Sequence, residues 1–256
     1  MIKHHARTAL LATSLLLTGC GGGAATSAST TTSPVLPPAP APSAVLSGGG
    51  APGPRISVPA GRQQIAGLGP RTRAAVPATA RQVVVVTGRD RDSPLSRVVL
   101  YEHTGSGWHA GPVWPAHNAL RGWTDHHMSG DLRSPVGVFE LTDAGGLLSD
   151  PGTRLPYDHS DDFTASGTGF EGEPLEGTFD YVIAINYNRE AGTSPLDWIR
   201  PLGAERGGGI WLHVDHGGPT QGCVSLAEEH MRDLLLALDP DLHPVVVMGD
   251  RVSLSR

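Results

Sequence analysis

The feature that most constrains the fold is how the apolar residues are parcelled out. From about residue 80 onward they come in short runs, each closed by Gly, Pro, Asp or Ser. The runs are Gln82-Val83-Val84-Val85-Val86, Val98 to Tyr101, Trp108 to Val113, Pro135 to Leu141, Tyr181 to Ile185, Ile210 to Val214 and Val245 to Met248. Short, β-branched runs with such boundaries read as strands. Gly105-Ser106-Gly107 supplies a turn between the second and third. With 34 Gly and 22 Pro in 256 residues, long helices have little room. The expected class is mainly β with α (α+β). Residues 81–252 form one domain, long enough for a sizeable core. Asp143 to Asp180 is polar and unpatterned, and long loops of this kind often carry function.

One helix stands out against this background. Ser225-Leu226-Ala227-Glu228 has capping-box spacing, with Ser225 as N-cap and Glu228 at N3. Met231, Leu234, Leu235 and Leu238 then form one apolar stripe, best read as core. Asp239-Pro240 ends the helix. On this reading Cys223 sits just before a helix N-terminus.

The N-terminal part has a different character. Lys3, His4, His5 and Arg7 form a basic front to the short apolar run Ala9 to Leu17, too short to span a bilayer. The run closes with Leu17-Thr18-Gly19-Cys20, which resembles the bacterial lipoprotein signal. That resemblance implies a signal peptide over residues 1–19, cleavage before Cys20 and lipidation of its thiol. An ordinary secretory signal with a fortuitous cysteine is the alternative. More than one acyl chain would hold the chain on a membrane, outside the cytoplasm. Residues 20–80 are expected to be a tether. Up to about Pro59 they are Gly-, Ser-, Thr- and Pro-rich, with too few apolar side chains to fold. Loss of Lys3 and Arg7 takes the formal charge from −6 to about −8, which argues against a nucleic-acid partner.

Cys223 is the other cysteine. An unpaired thiol in an exported chain is uncommon, because oxidising compartments favour pairs. A helix start would lower its pKa. Gly222 would let the backbone turn tightly, with the amides of Gly222 and Cys223 aimed at a developing oxyanion. A histidine can take the thiol proton and later protonate a leaving amine. His213, on the strand leading into the loop, is the first choice for that base, and His216 the second. Two other readings exist. A free cysteine can be a small buried hydrophobe. His126, His127, His213, His216 and Cys223 could supply metal ligands, but their spacing fits no common zinc pattern and no metal is assigned.

These residues resemble a known family. Trp211-Leu212-His213-Val214 followed by Pro219-Thr220-Gln221-Gly222-Cys223-Val224-Ser225-Leu226 is similar to the catalytic motif of the YkuD-like L,D-transpeptidases. Gly130-Asp131-Leu132-Arg133-Ser134-Pro135-Val136-Gly137-Val138-Phe139 resembles an upstream stretch of that family. Leu155 to His159 and Ile185 to Asn188 resemble segments between them. The resemblance implies a mixed β-sandwich or barrel-like catalytic fold with a helix after the cysteine. It implies Cys223 as nucleophile, His213 as base and peptidoglycan stem peptides as partners: a donor tetrapeptide and an amine acceptor, joined in 3→3 cross-links. No cofactor is implied. Two positions depart from the pattern. Thr220-Gln221 stands where many members have Ser-His, and Ser225 where many have an Arg that helps hold substrate. The loop from Asp215 to Thr220 is short, so less of a lid is expected. An L,D-carboxypeptidase using the same pair, with water as acceptor, and an inactive wall-binding lipoprotein are the competing functions.

Overall fold

The computed structural model describes residues 64–256; the signal segment, Cys20 and most of the tether lie outside the described residues. Twelve strands and three α-helices are assigned among them. In chain order they are α1 Pro70–Ala75, β1 Gln82–Gly88, β2 Leu95–Thr104, β3 Gly107–His117, β4 Trp123–Thr124, β5 Ser134–Pro135, β6 Gly137–Glu140, β7 Ala144–Gly146, β8 Tyr157–His159, β9 Val182–Ala184, β10 Trp211–Val214, β11 Val224–Leu226, α2 Glu228–Ala237, β12 Val245–Asp250 and α3 Arg251–Leu254. The chain is mainly β with few helices, as the short runs predict. Each predicted run falls on a strand. The run from Pro135 is split: Ser134–Pro135 pairs with β4, while Gly137–Glu140 pairs with β12.

Ten strands form one mixed sheet in the order β6-β12-β1-β2-β3-β11-β10-β9-β7-β8. Parallel pairs are β1 with β12, β10 with β11, and β7 with β8. The sheet curls. Asn186, just past β9, donates its amide to Glu140 of the distant edge strand β6 at 3.0 Å. The curl encloses one core: Val84 and Val86 of β1, Ile183 of β9, Leu212 of β10 and the stripe of α2 share a single cluster. Met231, Leu234, Leu235 and Leu238 are fully buried there, each worth about 1.5–3 kcal/mol of apolar transfer.

The folded body begins before residue 81. Ile65 and Leu68 are buried in a second cluster with Val83, Val85, Val245, Val247 and Leu254, covering the other face of β1 and β12. The first described residues meet the last ones there. The amide of Gly69 donates to Leu254 O at 2.8 Å, and a Cβ at Gly69 would collide with the backbone of Ser255 and Arg256. Packed structure is therefore in place by residue 65, and the domain extends past 252 to α3. The polar composition of residues 61–80 hid this, because two apolar side chains suffice to seal a small patch.

The capping box is the second correction. Val224–Leu226 is a strand, paired to both β3 and β10, and α2 begins at Glu228 with Ala227 as its N-cap. The Ser225 hydroxyl donates to Asp215 Oδ1 at 2.7 Å and accepts from no helix amide. Sheet pairing took residues whose local spacing favoured a cap.

Candidate active site

Strands β10 and β11 run parallel, with Leu212 opposite Val224 and His213 opposite Ser225. Alternation sends Leu212, Val224 and Leu226 into the core. His213, Ser225 and, one step before the strand, Cys223 fall on the other face. His213 and Cys223 are thus on one face of neighbouring chain segments, two positions apart in register. Both line a cavity of about 610 Å³, together with His127, His216 and Gly222. His126 does not line it.

The turn that presents Cys223 is held by side chains. Thr220 Oγ1 donates to Cys223 O at 2.7 Å, and Ser134 Oγ reaches the same carbonyl at 3.4 Å. Ser134 in turn accepts the Ala119 amide at 3.1 Å. Gly222 has an ordinary φ, so no left-handed turn demands it. A Cβ there would stand 2.9 Å from Ile210 Cδ1, so the end of that side chain would have to shift. The amides of Gly222 and Cys223 have no backbone acceptor among the described residues. They remain available as donors beside the sulfur.

His213 is held in one tautomer. Its Nδ1 lies 2.8 Å from Val214 O, a carbonyl that can only accept. The proton therefore sits on Nδ1, and Nε2 carries the free lone pair. Phe179 meets the ring edge-on at 5.5 Å, and His216 stacks on it at 6.0 Å. Burial pushes the His213 pKa down to about 4, so the ring is neutral at pH 7.

The thiol is not activated in advance. Cys223 Sγ accepts the Trp211 amide at 3.4 Å and lies 3.6 Å from Gly209 O. Desolvation pushes its pKa up to about 11, against the opposing effect of the Trp211 amide. The residue itself is half-buried, at the cavity wall. The pKa lowering expected from a helix dipole is absent, because β11 stands between Cys223 and α2. The resting pair is neutral thiol and neutral imidazole.

His216 is engaged elsewhere. Its Nδ1 is 3.1 Å from Glu173 Oε1. Glu173 belongs to the segment from Thr164 to Phe179, which lines the cavity and folds back on itself through a Thr168–Pro174 bridge. The backbone amides of Glu173 and Glu171 hold the Glu173 carboxyl below its usual pKa. Its carboxylate lies against Gly218, where a Cβ would collide with it. A lid therefore exists. It comes largely from the long polar segment; the short 215–220 loop, of which less of a lid was expected, adds His216, Pro219 and Thr220 to the cavity wall.

A second network was missed by sequence reasoning. Asp215 Oδ1 accepts from His117 Nδ1 at 2.9 Å and from Ser225 Oγ at 2.7 Å. The Asp215 hydrogen bond raises the His117 pKa, while bonds from His117 and Ser225 hold Asp215 low against its own burial. The Asp215 amide also closes on Leu226 O at 2.6 Å. This clamp fixes the register between the His213 strand and the Cys223 strand. Asp215 is two residues past His213 and shares its face, a signal the strand period offered. His117 is close only through sheet pairing and carried no local signal.

No family model and no curated protein matches the chain. A solved structure from Bdellovibrio bacteriovorus, that of Bd1075, is similar at 15% identity with a TM-score of 0.33, over 70% of this chain and 50% of that one. The chain spans about half the length of that neighbour.

Proposed function

We propose that this chain is a peptidoglycan L,D-transpeptidase with Cys223 as nucleophile and His213 as base, on the catalytic fold its motifs resemble. The observation that carries the reading is the His213 tautomer: a buried neutral ring with Nε2 free, lining one cavity with the only described cysteine. His216 stays the second choice: its Nδ1 is likewise engaged, by Glu173, but it lies past the end of β10 and not on the strand in register beside Cys223.

Proton flow follows from this arrangement. His213 Nε2 takes the thiol proton as sulfur attacks the donor carbonyl. The oxyanion is met by the Gly222 and Cys223 amides. Collapse breaks the C–N bond, Nε2 protonates the departing amine, and a thioester remains. An acceptor amine then attacks, passing its proton to Nε2. The tetrahedral adduct expels the thiolate, which regains the proton. Water in place of the amine gives carboxypeptidase chemistry.

The test is to incubate the chain with tetrapeptide-stem muropeptides and, separately, with a carbapenem. Cross-linked dimers and a carbapenem adduct on Cys223 are expected, both lost in Cys223→Ala. His213→Ala should cost on the order of 10²-fold in turnover. Shortened monomers without dimers would replace the amine acceptor by water. An unreactive Cys223 would sink both enzyme readings and leave the inactive wall-binding lipoprotein.

Localisation belongs to the same proposal. Acylated Cys20 anchors the chain in the envelope, and Cys20→Ala should move it from the membrane to the soluble fraction. Among the described residues no helix is long and apolar enough to cross a membrane.

A further inference from the structure

The cavity contains one formal cation and one acid among its described lining residues, Arg200 and Asp162. Arg200 pairs with no carboxylate among the described residues. Its Nη1 donates to two carbonyls, Asp197 O and Ile199 O, each at 2.9 Å. Nε and Nη2 have no acceptor there. The guanidinium lies over the Trp198 ring at 5.1 Å, and that ring is 84% exposed at the cavity's edge. Burial lowers the Arg200 pKa from its usual value, so the charge is partly stripped of water.

The backbone beneath explains how an arginine fits so close to the thiol. The side chain lies across Gly208, where a Cβ would collide with it. Nη2 is 3.7 Å from where a Cβ of Gly209 would stand. The carbonyl of that same Gly209 is 3.6 Å from Cys223 Sγ. One glycine therefore separates the guanidinium from the sulfur.

We propose that Arg200 recognises a carboxylate of the acyl donor, through the Nε–Nη2 edge left free when Nη1 is tied to the backbone. That edge presents two parallel N–H donors in a planar fork, the geometry that matches a carboxylate. The inference rests on the acyl-transfer reading and names the residue that would hold a donor carboxylate beside the attacked carbonyl. Two sources share that chemistry, a carboxylate on the residue being acylated and the terminal carboxylate of the residue released. Arg200 also provides a cation in a cleft where Ser225 does not.

The test uses two small alkylating reagents and two peptides, on the chain carrying Cys20→Ala. Iodoacetate is anionic and iodoacetamide neutral, and both alkylate the thiol. In Arg200→Gln the iodoacetate-to-iodoacetamide rate ratio should fall on the order of 10-fold, as expected for loss of a charge-assisted pair. Arg200→Lys should lie between. The iodoacetamide rate is the internal control for an intact fold. Donor peptides amidated at one or other carboxylate then identify the source. The amidation that raises KM in the unsubstituted chain should have no effect in Arg200→Gln.

An unchanged rate ratio in Arg200→Gln overturns the proposal. The two readings fail separately. A chain that processes no stem peptide but keeps an Arg200-dependent iodoacetate preference loses the transpeptidase reading and retains the carboxylate site. A chain that processes stems with KM and rate ratio unmoved by Arg200→Gln does the reverse.

Discussion

The neutral state of the Cys223–His213 pair makes a prediction that separates this site from one with a pre-formed thiolate. The perturbation is pH. With the thiol pushed up to about 11, roughly one molecule in 10⁴ carries a thiolate at pH 7, against about 3% for an ordinary cysteine. A thiolate of higher pKa is the better nucleophile, by about 10-fold over this interval. The net expectation is alkylation at pH 7 roughly 30-fold slower than for an ordinary cysteine. Iodoacetamide rates between pH 5 and 11, on the chain with Cys20→Ala, give the measurement. The same chain in urea supplies the ordinary thiol. The folded rate should climb through neutrality without a plateau, and thiolate absorbance should rise only at alkaline pH. His213, with its pKa pushed down to about 4, contributes no imidazolium to stabilise a thiolate at pH 7. A rate plateau from about pH 6 with thiolate absorbance at pH 7 would refute this reasoning. It would mean an ion pair of the kind a helix N-terminus or an imidazolium can create.

Two further outcomes follow from the same geometry. His213 is depressed from 6.5 to about 4, so the unfolded chain binds its proton first as pH falls. Stability from this residue is whole above about pH 6.5 and lost down to pH 4, a decline of about 3 kcal/mol visible in urea melts; His213→Gln should remove that contribution to the slope. Glu173→Gln should loosen the lid from Thr164 to Phe179. Its amides should exchange faster with solvent, and Cys223 should react faster with a bulky maleimide, while global stability holds.

What was legible in the sequence divides by range. Seven apolar runs were legible as strands, because each needs only its own residues; β4, β7, β8 and β11 were not. The core stripe of α2 was legible for the same reason. The start of α2 was not: Ser225 and Glu228 carry a correct local capping signal, but β3 and β10 compete for Val224–Leu226 and win. The error propagated into the chemistry. A helix start beside Cys223 implied a lowered thiol pKa, and the inserted strand removes it. The folded start near Ile65 was missed because its partners, Val83, Val247 and Leu254, lie far along the chain.

The site residues show the same division more sharply. Cys223 and His213 stand ten residues apart on adjoining segments, close enough for motif reasoning to find both. What orients and covers them comes from elsewhere: Asp215 ties to His117, and His216 to Glu173. Arg200 lies over a Gly-Gly-Gly stretch that reads in sequence as a mere flexible loop. In the structure Gly207, Gly208 and Gly209 all have positive φ, and a Cβ at Gly207 would stand 2.8 Å from His127 Nε2. The stretch is a thin floor, with His127 pressed on one residue and Arg200 on the next. A side chain at Gly208 would collide with the guanidinium, on a backbone whose positive φ already strains any side chain. On the proposed reading, substrate recognition and bond-breaking are therefore carried by different elements of this fold, and only the second was written in adjoining segments.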